Sequence, residues 1–237
     1  MKYLFLVLFL GSLAANVAGV WAVKHLYKAE NAVRLDPLQL AVYPDASAKN
    51  PALPRVVWFG DSRALSWPKP EVKNLEFLNR GIGDQTSAQI RLRYASHVQP
   101  LKPDLLILQL GVNDLKTLPL FPEKQSVIVE QLKANLQWIV QQARADGSRV
   151  LITTIFPVGK VPLERRLVWS DAVAPAIREL NLFITSLAGE GVQVFDAFSA
   201  LQGEKDLIKP DYSRDLLHLN AQGYAALNTA LVPFLPH

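Results

Sequence analysis

Two patterns of hydrophobic and polar positions divide the chain. Residues 3–23 run for 21 positions without a formal charge. As a helix rising ~1.5 Å per residue, that run is long enough to cross a hydrocarbon layer of ~30 Å. From residue 55 onward, short apolar runs alternate with helical periodicity. Strands are predicted at 56–59, 75–79, 104–110, 149–155 and 192–195. The third is almost continuously apolar, as a strand covered on both faces would be. Between them the spacing predicts helices over 86–98, 123–145 and 170–189, with a last one over 220–232. Asp146 and Gly147 supply a stop for the second helix, and Asn220 is a good N-cap for the last. Strand and helix alternating at this spacing imply right-handed βαβ units, hence an α/β domain with a parallel sheet and helices on both faces.

The chain thus reads as a hydrophobic signal-anchor or signal peptide over 1–23, a juxtamembrane helix and linker over 24–54, and one domain over 55–237. Pro37, Pro44, Pro51 and Pro54 punctuate the linker. The apolar run exceeds the ~7–15 residues of a signal-peptide core, and Trp21 and Tyr27 lie where interfacial aromatics sit, so an uncleaved anchor is the expectation. Cleavage after Val20, Trp21 and Ala22, giving a secreted protein, is the alternative; a buried soluble helix is a third reading. Lys24, Lys28 and Arg34 on one side balance Lys2 and the α-amino group on the other, so charge does not fix orientation. An apolar segment at the extreme N-terminus reads first as an export signal, which puts the domain outside the cytoplasm.

Composition narrows the chemistry. With 19% charged and 50% hydrophobic residues, the chain has material for a core and is neither disordered nor a coiled coil. A net charge of +4 with scattered basic residues gives no nucleic-acid groove. The absence of cysteine excludes disulfides, thiolate metal sites and cysteine nucleophiles.

The first predicted strand ends at Gly60, Asp61 and Ser62, presenting a hydroxyl at the carboxyl edge where α/β sheets bind ligands. Ser62 is a candidate nucleophile there, or simply the cap of the next helix. A serine nucleophile needs a base. Of four histidines, His25 flanks the apolar segment, His237 ends the chain, and His97 closes a helix, which leaves His218. Asp215 stands three residues earlier, close enough in one turn to orient the imidazole. Oxyanion donors are offered by two further strand ends: Asn113 after Gly111, and the turn from Asn79 to Thr86 with Gly81 and Gly83. Each block alone is also an ordinary βα turn.

Together, Gly60-Asp-Ser62, the glycine-rich turn, Gly111-x-Asn113-Asp114, Asp215-x-x-His218 and the following Leu219-Asn-Ala-Gln-Gly-Tyr224 resemble the SGNH hydrolases, the GDSL-like lipases and esterases, over about residues 55–233. The resemblance implies a flavodoxin-like, doubly wound five-stranded sheet of order 2-1-3-4-5. It implies Ser62 as nucleophile, His218 as base, Asp215 as its partner, and Asn113 with backbone N–H groups, Ser62 among them, as the oxyanion hole. No cofactor or metal is implied. The substrate would be a small-molecule, lipid or glycan ester, hydrolysed through an acyl-enzyme. Acyl transfer to a sugar or lipid hydroxyl is the enzymatic alternative, and an inactive tethered binding domain the non-enzymatic one. Two positions depart from the family pattern. Arg63 replaces an apolar residue and is expected to bring a cation near the pocket mouth. Asp84 stands where a glycine is usual, with Gly83 before it, so either residue is a candidate for the backbone donor, and the Asp84 carboxylate is expected to oppose an oxyanion.

Overall fold

The computed structural model describes residues 1–43 and 48–236. Residues 44–47 of the expected linker, and His237, lie outside the described residues. The chain forms two compact units, Met1–Gln39 and Leu40–His237. The first is helix α1 (Lys2–Leu35), whose most apolar stretch has a mean hydropathy of 2.0, long and apolar enough to cross a membrane. The expected juxtamembrane helix is the continuation of this one element. It stops ahead of Asp36 and Pro37, where the proline disfavours helical backbone in the residue before it.

The second unit alternates strand and helix. Its first half holds β1 (Arg55–Gly60), α2 (Ser62–Leu65), β2 (Glu76–Gly81), α3 (Ser87–Leu92), α4 (Tyr94–His97), β3 (Leu105–Gln109) and α5 (Val112–Leu115). The second half holds α6 (Gln125–Ala145), β4 (Arg149–Thr153), α7 (Val173–Ser186), β5 (Val192–Phe195), α8 (Ala197–Leu201) and α9 (Ala221–Leu231). All five strands are parallel in the order β2-β1-β3-β4-β5, as the resemblance implied.

Side chains alternate across the sheet. Val57, Phe59, Leu106, Leu108 and Ile152 face Leu132, Leu136, Ile177 and Leu180 of α6 and α7. Val56, Trp58, Leu105, Ile107 and Leu151 face Leu201, Leu227 and Leu231 of α8 and α9. Burial on both faces is why β3 carries no polar alternation. Gly147, at φ +90, ends α6 in the left-handed conformation that glycine adopts without strain.

The helix expected over 86–98 is two short ones, broken at Arg93. The break accompanies burial of that side chain: Arg93 donates to Gly60 O at 2.8 Å, to Arg80 O at 2.8 Å and to Gln85 Oε1. Residues ahead of β1 are also tied to the domain. Tyr43 donates its hydroxyl to Gly81 O at 2.7 Å, and Lys49 pairs with Asp104 at 2.7 Å.

Buried polar side chains gather at the carboxyl end of the sheet: Asp61, Gln109, Asn113, Asp114 and Thr153. Asp114 accepts from the Ser87 N–H and hydroxyl, and Asn135 donates to the same hydroxyl at 2.9 Å. Burial pushes the Asp114 carboxyl up to about 6 despite the Ser87 hydrogen bonds, and burial likewise raises Asp61 to about 6 against the nearby Arg63 guanidinium.

Two outcomes follow from this packing. A methyl group on Gly60 would lie 1.7 Å from the Gln109 carbonyl oxygen, so β1 and β3 could not keep their register. Gly60→Ala should lower the unfolding free energy in urea by about 3 kcal/mol or more; an unchanged midpoint would contradict the packing. The folded chain holds the Asp114 proton to about pH 6, whereas an unfolded aspartate releases it near ~4. Between these values the folded state binds more protons, so this group makes stability fall as pH rises. The stability of wild type relative to Asp114→Asn should therefore drop by on the order of 1–2 kcal/mol between pH 4 and pH 7. A pH-independent difference would show that the carboxyl is not so perturbed.

Candidate active site

Ser62 begins α2 immediately after β1, but it is not the cap of that helix. The cap is Asp61, whose Oδ1 accepts the Arg63 N–H at 2.8 Å. The half-buried Ser62 hydroxyl instead lies 3.0 Å from His218 Nε2. On the far side of the ring, His218 Nδ1 is 2.9 and 3.0 Å from the two carboxylate oxygens of Asp215. The structure thus brings all three residues into one line of hydrogen bonds.

The turn carrying His218 is organised by Asp215 itself. Its Oδ1 also accepts the backbone N–H groups of Leu217 and His218, each at 2.9 Å. This local side-chain-to-backbone bonding is what aspartate favours in irregular segments. Burial works against the Asp215 charge, yet the N–H groups of Leu217 and His218 and the imidazole together hold its carboxyl down at about 2. It is therefore an acceptor that fixes Nδ1 as the protonated nitrogen at neutral pH. Gly159 N–H donates to Leu216 O at 2.7 Å, which seats the turn against the segment after β4. Asn220 closes it from the other side, its Oδ1 accepting Gly223 N–H at the start of α9.

Arg63 is not at the pocket mouth. Its side chain is fully buried, with Nε donating to Leu217 O at 2.8 Å and the Nη atoms to Phe156 O at 3.3 Å and Pro157 O at 3.4 Å. The guanidinium also lies over the Phe156 ring, 5.1 Å from its centroid. Burial lowers its pKa to about 10, against the attraction of Asp61, so it remains a cation at neutral pH. The apolar β-strand and loop interior recruits the cation through carbonyl oxygens, a use that the one-dimensional pattern does not reveal.

The other strand ends converge beside Ser62. A Cβ on Gly83 would stand 3.9 Å from the Ser62 Cβ, which puts the Gly83 backbone alongside the hydroxyl with room to spare. Asp84 adopts φ +61, in the left-handed region that glycine enters without strain. Its side chain is 94% exposed at the cavity wall with Lys116 Nζ 3.3 Å away, so the expected opposition to an oxyanion is solvated and partly balanced. Buried Asn113 donates to Gln85 O at 3.0 Å, tying the end of β3 to the turn that carries Gly83 and Asp84. One of its two amide N–H groups is used in this way.

Sequence reasoning missed Gln85, Arg93 and Gly159. Arg93 and His97 did leave a trace, since they sit on the same helical stripe as the buried Ile90 and Tyr94. Gly159 left none, because its role depends on a loop from elsewhere in the chain. A cavity of about 480 Å³ opens at His218, walled by Leu120, Val168 and Trp169 with Asp84, Lys116, Glu164 and Arg165 among the polar residues around it.

A profile of the GDSL-like lipase/acylhydrolase family matches residues 46–226. An uncharacterized lipoprotein of Bacillus subtilis (strain 168) is 30% identical over 138 residues, which is 51% of this chain and 56% of the relative; the match thus spans about half of that protein's length. Among solved structures, a GDSL-like lipase from Bacteroides thetaiotaomicron VPI-5482 is similar with a TM-score of 0.67 at 21% identity, over 83% of this chain and 97% of that one. An acetylxylan esterase from Geobacillus stearothermophilus gives 0.60 at 17% identity, over 76% and 93%. At such identities the structural likeness speaks for the fold, and it is the profile match over well more than half the chain that speaks for kinship. The chain belongs to the GDSL-like lipase/acylhydrolase family.

Proposed function

We propose that this chain is a serine esterase that cleaves carboxylic esters through an acyl-enzyme. The observation that carries the reading is the line Ser62 Oγ, His218 Nε2, His218 Nδ1 and Asp215, with separations of 3.0 and 2.9 Å. Ser62 Oγ attacks the ester carbonyl while His218 Nε2 takes its proton. The carbonyl oxygen becomes an oxyanion beside the N–H of Ser62, a backbone N–H of Gly83 or Asp84, and the Asn113 amide. The tetrahedral species collapses as the imidazolium returns the proton to the leaving alcohol. Water, deprotonated by the same imidazole, then attacks the acyl carbon, and the imidazolium returns that proton to the departing Ser62 Oγ. Asp215 stays ionised throughout and stabilises the imidazolium. No step of this route draws on a metal or cofactor.

The acyl group or the alcohol would occupy the cavity at His218, where Leu120, Val168 and Trp169 offer apolar contact. Its rim continues into Leu163 and Leu167, which are 74% and 95% exposed, next to Arg165 and Arg166. This wall supports a lipid or acylated glycan ester. The acetylxylan esterase neighbour agrees with a small acyl group. Helix α1 would hold the enzyme at the membrane, with the domain outside the cytoplasm; the lipoprotein relative supports an envelope location.

A fluorophosphonate probe should label the full chain in detergent and leave Ser62→Ala unlabelled; equal labelling would remove Ser62 from the role. His218→Ala should lower turnover of p-nitrophenyl acetate by about 10³-fold or more while leaving the thermal midpoint close to wild type. A fully active His218→Ala chain would exclude it as the base.

A further inference from the structure

We propose that Arg63 is a positioning residue that sets the distance between Ser62 and His218. The inference rests on the reading of those two residues as nucleophile and base. Arg63 follows Ser62 in the chain, and its Nε holds Leu217 O at 2.8 Å, the carbonyl of the residue preceding His218. The two ends of this clamp are therefore each one residue from an end of the Ser62–His218 hydrogen bond, across 156 positions of sequence. The Nη atoms reach Phe156 O and Pro157 O, the same segment whose Gly159 N–H donates to Leu216 O. The base-bearing turn is thereby braced twice against one wall. The Arg63 carbonyl accepts the Tyr224 hydroxyl at 3.0 Å, so α9, which follows His218, is fastened to the same residue.

Packing alone does not account for an arginine here. The guanidinium is fully buried, its direct partners are neutral carbonyls, and no carboxylate lies within ion-pair distance among the described residues. Removing a cation from water is unfavourable, and Asp61 and Asp215 attract this one only from beyond ion-pair distance. The apolar residue usual after Gly-Asp-Ser in this family would fill the space without that penalty. A planar fork with donors on three nitrogens reaches carbonyls from two separate segments at once in a fixed geometry. Attack geometry is sensitive to displacements of well under 1 Å, which is the scale on which losing these three bonds would let the His218 turn relax.

The test is turnover of p-nitrophenyl acetate by the full chain in detergent, expressed per site titrated with the fluorophosphonate, so that misfolded molecules do not count. Arg63→Met should lower kcat per titrated site by about 100-fold and leave KM nearly unchanged. Arg63→Lys, which keeps one donor nitrogen, should recover about a tenth or more of the wild-type kcat. Wild-type kcat per site in Arg63→Met, with the change confined to the number of titratable sites or the thermal midpoint, would overturn the proposal, as would an Arg63→Lys chain no better than Arg63→Met. Ser62→Ala, run alongside, separates the two readings: if it retains turnover, the nucleophile assignment has failed, whereas an inactive Ser62→Ala with a fully active Arg63→Met refutes the positioning role alone.

Discussion

The hydrogen bond between Ser62 and His218 joins residues 156 positions apart, and the two sides of it are held by different physics. The Ser62 side is a product of the sheet. β1 lies between β2 and β3, and its last residue, Gly60, has no side chain because the Gln109 carbonyl occupies that space. The Gly60 carbonyl in turn accepts from Ile82 N–H and from the Arg93 guanidinium. The His218 side has no strand beneath it. A carboxylate that accepts from two backbone N–H groups, the imidazole and the Arg214 guanidinium, a cap at Asn220 and a few loop carbonyls do the work of a sheet there. Such turns are stable only when their polar groups are paired locally or against a rigid neighbour.

That asymmetry accounts for where the unfavourable burial sits. Asp61, Gln109 and Thr153 each keep at least one side-chain atom buried without a partner among the described residues, and all lie toward the carboxyl end of the strands, with Trp58 Nε1 in the middle of β1 as the exception. At the opposite end, Arg55 is buried but paired with Glu76. A chain selected for stability alone would place apolar residues at both ends. Groups that raise the free energy of the folded state and cluster at one sheet edge mark a site rather than a core. The raised carboxyls of Asp61 and Asp114 are part of the same pattern, since each is a polar group kept next to the Ser62 edge at the expense of its solvation.

Much of this was legible in one dimension. Strand and helix alternation gave the layered α/β architecture because periodicity reports burial directly, and β3 announced its two covered faces by having no alternation. The strand ends were legible only in combination, because glycine, asparagine and aspartate after an apolar run are also ordinary turn residues. Arg63 shows where legibility stops. A cation after a strand reads as solvent-facing, and nothing in the sequence shows that Leu217, Phe156 and Pro157 deliver carbonyls to its position. The split of the 86–98 helix was hidden for the same reason, because Arg93 bonds to β1, to β2 and to the turn between β2 and α3. Local propensity and pattern carry the fold, whereas partners supplied from distant loops do not appear until the chain closes.

Asp84 illustrates how a side chain and its backbone can be separated in function. What a glycine gives such a turn is the left-handed conformation and an unobstructed N–H. Aspartate tolerates that conformation better than most residues, because a short polar side chain can be solvated or bonded nearby. At φ +61 the Asp84 side chain stands solvated at the wall of the cavity, where Lys116 meets it, while Gly83 lies beside Ser62. Field strength at the proposed oxyanion depends on distance and dielectric, and a solvated charge facing a lysine is screened far more than one held inside the cavity. An acidic residue in a glycine's place is therefore compatible with the proposed chemistry because its charge is solvated and faces Lys116.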